Sequence, residues 1–410
     1  MPELFQVSTP AEALRILFAH HPAAVSSEET ATAEALDRIT AEDLSAGSSL
    51  PAFPRSTMDG YAVRAMDTFG ATETLPAYLT VVGEAPMGRA PTVSVGTGEA
   101  VVVYTGGMIP EGADGVVMVE RTQKLDAATI EVLRTVAPGE NIVNVGEDVA
   151  EGNLLFSAGH RLRPQDIGGL MALGITRVNV AARPRVAIIS TGDEVVAPEV
   201  SAGPGQVRDV NSYTIAGLVT RAGGIPSLRG IIGDNYEALH GAAIAALADA
   251  DALVISAGSS VSARDLSAAV IQSLGEPGVL VHGISVKPGK PTILGICNGK
   301  PVFGLPGNPV SAMVVAGLFL TPMLRRMQGM ADSVRPPRAS ALLFRNIASV
   351  PGREDYVPVR LTEREGRLWA DPVFGKSNLI YTLVNADGLI LVPLDANGLN
   401  SGTAVEVELF

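Results

Sequence analysis

The chain is poor in the residues that most often announce a chemistry. It has a single cysteine, Cys297, in 410 residues. No intrachain disulfide can form, and a cysteine-rich zinc or iron–sulfur centre is excluded. Cys297 sits in the apolar run ILGIC, which reads as a small buried core residue rather than a nucleophile. Five scattered histidines offer neither a metal cluster nor a histidine-based triad. No HExxH, GxSxG, Walker A or CxxC pattern occurs. Positive charge is also in deficit: 30 Lys and Arg stand against 43 Asp and Glu, a formal net charge of −13. That balance argues against broad nucleic-acid binding, which needs a basic face. It leaves open a small anion held by a few local cations and backbone N–H groups.

Long apolar runs are missing too. The most apolar helical stretch, Met313 to Leu324, is too short to span a bilayer and is expected to end at Thr321-Pro322. The first residues, MPELFQVSTPAEAL, carry an acid early and show no basic-then-apolar signal pattern. No membrane association is expected, and the cytoplasm is the simplest compartment.

What is present is enough for several cores. Apolar residues make up 47% and charged residues 18%, so the chain is not disordered, and its length predicts two to four domains. Residues 9–43 read as helical, starting at Thr9-Pro10 with Ala13, Leu14, Ile16 and Leu17 on one stripe. LPAFPRS (50–56) breaks that pattern. Short β-rich runs then alternate with turns such as PEGADG and APGEN. After Arg183-Pro184 the character changes to α/β. Strand-like RVAIIS, PSLRGIIG, ALVISAG and PVFGLPG are separated by helical runs, and that order predicts a parallel sheet with right-handed crossovers. A helix from about Pro309 to Arg326 closes it. Arg335 to Arg338 reads as a linker, and five β runs follow.

The expected architecture is therefore multidomain α/β plus β. A mixed helical N-terminal domain (1–49 and 141–182) carries an inserted β-rich lobe (50–140). A parallel-sheet α/β domain (183–330) and a small C-terminal β-barrel (336–410) complete it.

Four glycine-bearing loops follow apolar runs in the α/β segment: STGDEV from Ser190, SAGSSVSARD from Ser256, KPGKP from Lys287 and LPGNPVS from Leu305. In open α/β sheets ligands bind beyond the carboxyl ends of the strands. Four such loops predict one shared crevice for an anionic ligand. LPGNPVS places Pro309 at a helix start with Asn308 as N-cap, leaving N–H groups for an anion; as a lone motif it is equally a capped helix without ligand. KPGKP sets Lys287 and Lys290 in one stiff turn suited to a phosphate or oxyanion, or merely a solvated basic turn. In STGDEV, Thr191, Asp193 and Glu194 could hold a ribose, metal or water, or could cap a helix. Ser259 and Ser260 offer phosphate-type hydrogen bonds. Asp265 and Asp234 read equally well as helix caps. Outside the sheet, Asp59 in TMDGYAV, Thr105 in VYTGG, and Glu147 and Asp148 in NVGEDVAEG each read alone as β-turn residues.

In chain order, MDGYAV, YTGG.IP.GAD.VV..E, GED...G, STGDE, the Ser-rich loop ending at Asp265, KPGKP and GLPGNPVSA resemble the molybdopterin molybdenumtransferase family, of the MoeA and gephyrin E-domain type. The late ADGLILVP and VEVELF segments extend the resemblance from about residue 10 to 410. The resemblance implies a four-domain, L-shaped subunit in an elongated homodimer, with the β lobe over the partner's cleft and residues 183–330 binding the pterin. It implies insertion of molybdate into adenylylated molybdopterin with release of AMP, supported by Mg2+. Residues carried over for catalysis are Asp59, Thr105, Asp148, Glu194, Asp234, Asp265, Lys287 and Lys290. Substrate-holding positions would be Thr191, Gly192, Asp193, Gly258, Ser259, Ser260, Pro306, Gly307, Asn308 and Ser311, with Asp234 and Asp265 as metal ligands. A molybdopterin adenylyltransferase is an implied partner.

One loop departs: SAGSSVSARD stands where the family reads SGGVSVGE.D, with Ala257, Ser262 and Ala263 in altered positions. That departure bears on ligand grip and on molybdate against tungstate. The alternatives are a same-fold enzyme preferring tungstate, an adenylyltransferase-like enzyme, and a non-enzymatic scaffold.

Overall fold

A computed structural model describes residues 7–21, 26–257, 261–330 and 337–410. At its centre is a six-stranded sheet sandwiched between helices. Arg185–Thr191 lies between Ile225–Ile232 and Ala252–Ser256, and Lys300–Leu305 comes next, all parallel. Ile293–Cys297 and Pro277–His282 then extend the sheet antiparallel. The four strands whose order predicts a parallel sheet are parallel, and two further strands make the whole sheet mixed. The last two strands are joined without a crossover helix, so nothing forces them parallel. Cys297 is buried, donates its thiol to the Ile271 carbonyl at 3.3 Å, and is pushed up to about 11 by burial.

Both faces of the sheet are covered. One packs Val186, Ile188 and Val254 against helices Asn211–Arg221 and Pro309–Met327. The other packs Ala187, Ile189 and Ile255 against helices Tyr236–Asp249 and Val261–Ser273. Helix Pro309–Met327 is long and apolar enough, by length and composition, to cross a membrane, yet Ala312, Phe319, Leu320 and Met323 lie in this core. Pro322 does not end it. A π-helical turn over Ala316–Leu320 leads into Thr321–Met327, whose first turn accommodates the missing N–H.

The N-terminal region corrects the sequence reading in two ways. Helix Pro10–Ala19 is capped by Thr9, whose hydroxyl accepts from Glu12 N–H at 3.3 Å. Its Ala13 and Leu17 bury themselves in the α/β core, not in a helical domain of their own. Ser27–Ala31, read as helical, is a strand paired antiparallel with Arg177–Ala181. SEETA carries no apolar stripe of helical period, and the pairing partner lies far along the chain.

The β lobe is a six-stranded sheet in which Gly60–Val63 lies between Gly115–Met118 and Glu99–Val103. GYAV is therefore a buried strand, while Met58 and Asp59 lie in the exposed bend before it. A Cβ on Gly60 would meet the Val117 carbonyl oxygen at 2.0 Å, so only glycine admits this pairing. In the C-terminal domain Glu354–Arg364, Arg367–Pro372, Arg338–Leu343, Ala404–Leu409 and Gly388–Val392 pair in turn. The last pairs back with the first, closing a five-stranded barrel. Val286–Lys287, the start of KPGKP, adds to its edge beside Glu354–Asp355. The lysine turn thus ties the α/β domain to the barrel.

Candidate active site

Two cavities meet at the carboxyl ends of the parallel strands, and Asn308 lines both. The first, about 330 Å³, is walled by the ends of Arg185–Thr191 and Ala252–Ser256, by Asp209–Asn211, and by the Gly307–Pro309 turn. Its groups are mostly neutral and buried: Ser190, Thr191, Asn211 and Ser256 are each less than a tenth exposed. They are held by separate sets of hydrogen bonds. Ser190 donates to Asp209 Oδ1 at 2.9 Å, Asp209 Oδ1 also accepts from Ser212 N–H at 3.1 Å, and the Asn211 amide donates to Ser256 Oγ at 2.8 Å and to the Gly307 carbonyl at 2.9 Å. The Asn211 side-chain oxygen is buried with no partner. An unsatisfied buried acceptor costs about 1–3 kcal/mol.

The second cavity, about 850 Å³, opens between the α/β domain and the barrel. Lys287, Lys290, Arg353 and Lys376 line it, against one acid, Asp355. Asp355 is only 2% exposed and takes Arg353 Nε at 2.8 Å, with Lys287 Nζ at 3.7 Å. Lys287 is therefore partly neutralised, whereas Lys290 forms no ion pair among the described residues. In a chain of net charge −13, this is a local cationic basin.

The helix start at Pro309 is arranged differently from the anion-binding end its sequence suggests. Asn308 holds the N-cap position, but its side chain does not cap; it donates to Ser377 Oγ at 3.0 Å. The Val310 N–H donates to the Ser377 carbonyl at 3.0 Å. A barrel loop thus takes one donor that an anion would have used. Pro306 and Ser311 line the second cavity, and Gly307 the first.

STGDEV caps no helix. It turns into Val195–Val196, which pairs with Val207–Arg208. Glu194 lines the first cavity, and Gly192 adopts φ +142°, a conformation that L side chains rarely adopt. Asp234 is not a cap either: Asn235 takes that role, accepting from Ala238 N–H at 3.0 Å. Asp234 instead accepts from the Thr191 hydroxyl at 2.9 Å, and its own N–H donates to Asp193 Oδ1 at 3.1 Å. Asp265 does not start its helix, which begins at Val261; it lies exposed in the second turn. Gly258, Ser259 and Ser260 lie outside the described residues.

Among the described residues no three acidic, histidine or cysteine side chains gather as a metal cage, so Asp234 and Asp265 belong to no preformed site. The Asp193–Asp234 neighbours still suit a magnesium ion, which usually takes one or two carboxylates and completes its shell with substrate phosphates and water.

Three predicted residues stand apart. Asp59 and Thr105 lie in the β lobe, where Asp59 Oδ1 takes the Thr105 N–H at 2.7 Å and hydroxyl at 2.8 Å. Those bonds hold Asp59 below the usual carboxylate range. Asp148 sits in an exposed loop, its N–H on the Leu50 carbonyl at 3.1 Å. None of the three lines either cavity, and neither do Gly192, Asp193, Asp234 and Asp265. Conversely, Asp209, Asn211 and Asn378 of the first cavity, and Arg353, Asp355 and Lys376 of the second, were not singled out from sequence. For Asp209 and Asn211 a signal existed: DVNS follows the Gly-rich GPGQ turn and opens an amphipathic helix. For the barrel residues there was none.

Comparison with known proteins follows the same division of the chain. Residues 8–174 match a family profile described as MoeA N-terminal region (domain I and II). Residues 187–326 match a probable molybdopterin binding domain, and residues 340–410 a MoeA C-terminal region (domain IV). A putative molybdopterin biosynthesis protein of Methanocaldococcus jannaschii is 36% identical over 391 residues, 93% of this chain and 92% of the relative. A molybdopterin molybdenumtransferase of Haemophilus influenzae is 32% identical over 379 residues, 92% of each chain. A crystal structure of a molybdopterin biosynthesis MoeA protein from Pyrococcus horikoshii superposes with a TM-score of 0.87 at 32% identity, covering 99% of this chain and 100% of that one.

Proposed function

The chain belongs to the MoeA family of molybdopterin molybdenumtransferases, and from that premise we propose that it inserts molybdate into adenylylated molybdopterin and releases AMP. The observation that carries this reading is the junction of two unlike cavities at Asn308. A chamber lined by mostly neutral, hydrogen-bonding side chains, Ser190, Thr191, Ser256 and Asn378 among them, suits a pterin head, whose ring N–H groups need partners. The adjoining basin with Lys290, Lys376 and Arg353 suits the phosphates and the oxyanion.

The roles of this chain's residues follow. Ser190, Asn211 and Ser256 orient the pterin. Thr191, Gly192, Gly307 and Asn308 bring backbone and short polar groups close to it. Lys287 and Lys290 neutralise oxyanion charge as the phosphoanhydride opens. Magnesium, when bound by Asp193 and Asp234 together with substrate phosphates, would offset that charge and favour the leaving phosphate. Glu194 lines the pterin chamber, where it can orient water. Asp265, exposed on the helix flanking the sheet, takes its catalytic role from the family resemblance.

Asp59, Thr105 and Asp148 line neither cavity, so they serve the reaction here through a homodimer in which one subunit's β lobe closes the other's crevice. A molybdopterin adenylyltransferase is the expected supplier of substrate, and the cytoplasm the expected compartment. The reading is tested by incubating the purified protein with adenylylated molybdopterin, Mg2+ and either molybdate or tungstate, and following AMP. AMP release dependent on molybdate supports it. A response to tungstate alone makes the chain a tungstate enzyme. No metal-dependent AMP release removes the proposal.

A further inference from the structure

A second basic cavity lies at the opposite edge of the central sheet. The pterin chamber sits at the carboxyl ends of the parallel strands, whereas this one sits at their amino ends. Arg183 precedes the strand Arg185–Thr191, and Ala222–Gly223 precede Ile225–Ile232. The cavity has about 360 Å³ and shares no lining residue with the two substrate cavities. It is an interdomain cleft: Arg38 and Arg161 come from the N-terminal domain, and Arg183, Arg221 and Arg325 from the α/β domain.

The charges do not balance within the cleft. Five arginines face two acids, Glu34 and Asp37. Asp37 is used by Arg161, at 2.8 Å, and Arg38 pairs with Glu28 outside the cleft. Arg183, Arg221 and Arg325 form no ion pair among the described residues. Arg183 gives two of its N–H groups to the Gly223 and Gly224 carbonyls, both at 3.2 Å, which fixes the guanidinium and leaves its charge uncancelled. Arg221 and Arg325 lie in the last turns of their helices, where the carbonyl ends attract cations. That attraction accounts for one arginine per helix end. It does not account for two helix ends and a neighbouring domain pointing their arginines into one cleft.

Arg325 is half-buried, and burial with the Arg161 guanidinium holds its pKa below the usual arginine range; Glu408 acts against that and Arg221 adds to it. Three arginines in one cleft, none in an ion pair among the described residues and with Glu408 acting on Arg325 only through space, form in a chain of net charge −13 a receptor for an anion of two or more negative charges.

We propose that this cleft binds a phosphate-class oxyanion on Arg183, Arg221 and Arg325 of the α/β domain, at its border with the N-terminal domain and away from the substrate cavities. The volume exceeds that of a bare phosphate, so either the free ion or a phosphomonoester can supply the group.

The test uses the full chain carrying Lys287→Gln and Lys290→Gln, which weakens anion binding in the substrate basin. Inorganic phosphate and ribose 5-phosphate are titrated at constant ionic strength, by calorimetry and by the shift in Tm. Binding is expected to persist in this background and to raise Tm as phosphate concentration rises. Adding Arg221→Gln and Arg325→Gln should weaken it about tenfold or more, the scale of losing charge-assisted hydrogen bonds. Arg325→Lys, which keeps the charge and loses the fork, should fall between and serves if the double variant does not fold. Tighter binding of ribose 5-phosphate identifies an ester as the ligand, and equal binding identifies the free ion. An unchanged phosphate response in the arginine variants overturns the proposal, as does its complete loss with Lys287→Gln and Lys290→Gln alone. A phosphate-independent change of oligomeric state in the arginine variants also overturns it, because the guanidiniums would then be facing a second copy of the chain.

Discussion

Asp59 Oδ1 takes both the backbone N–H and the hydroxyl of Thr105, at 2.7 Å and 2.8 Å, so two loops at one end of the β lobe act as a unit. Asp59 is nevertheless fully exposed. A carboxylate held ionised in open solvent, outside both cavities, is poised to act on something brought to it. Thr105→Val removes the hydroxyl and keeps the backbone bond. The Asp59 pKa, read by carboxyl NMR titration, should rise towards the ordinary carboxylate value without reaching it. Asp59→Ala and Asp265→Ala proteins should fold and bind the pterin substrate but fail to release AMP in the presence of molybdate. Wild-type AMP release by both would remove their assigned roles.

Asn211 should separate pterin recognition from anion recognition. Asn211→Ala removes the unpaired acceptor and the bonds to Ser256 and Gly307. Pterin affinity should fall about tenfold or more, one lost buried hydrogen bond being worth roughly 1–2 kcal/mol. AMP affinity, governed by the lysine basin, should change by less than about threefold. Parallel titrations with molybdopterin and with AMP distinguish the two; equal losses would mean that Asn211 only supports the fold.

Asp166 should set an acid limit on stability. It is 5% exposed; burial works to raise its pKa, but hydrogen bonds from Arg163 (2.9 Å to Oδ1) and His160 (2.7 Å to Oδ2) outweigh that and hold it well below the carboxylate range. A depressed folded-state pKa gives stability that is full above the unfolded value and lost as pH falls towards the folded one. Asp166→Asn should cost about 2–4 kcal/mol at pH 7. The gap to wild type should narrow below about pH 4. Urea unfolding at pH 7 and pH 3 measures this, and a gap that does not narrow with pH refutes it.

Cys297 should be silent to thiol reagents in the folded protein. Its pKa is pushed up to about 11 by burial, and its thiol is bonded to the Ile271 carbonyl. Thiolate is the reactive form. Alkylation at pH 8 should therefore track global unfolding, and rapid labelling of native protein would contradict the core placement.

Much of the fold could be read from the chain because local signals and the fold agree there. RVAIIS, ALVISAG and PVFGLPG are strands, the apolar-striped runs between them are helices, and the late β runs form the barrel. The misreadings share a cause. Ser27–Ala31 and Gly60–Val63 are short segments whose state is fixed by remote partners, Arg177–Ala181 and the two neighbouring lobe strands. Thr191 and Asp234 carried ambiguous capping chemistry, which only their 2.9 Å contact resolves.

The sequence by itself determined the elements, the glycine loops and the family, because hydrophobic period, turn residues and ordered motifs are local properties. Only the tertiary structure decided which charges remain free. Asp355, shared with Arg353, arrives from the barrel to draw on Lys287, and Ser377 takes the donor at the start of the Pro309 helix. Arg325 is left facing Arg161 and Arg221. Pairing and desolvation depend on distances across domains, and no spacing along the chain encodes them.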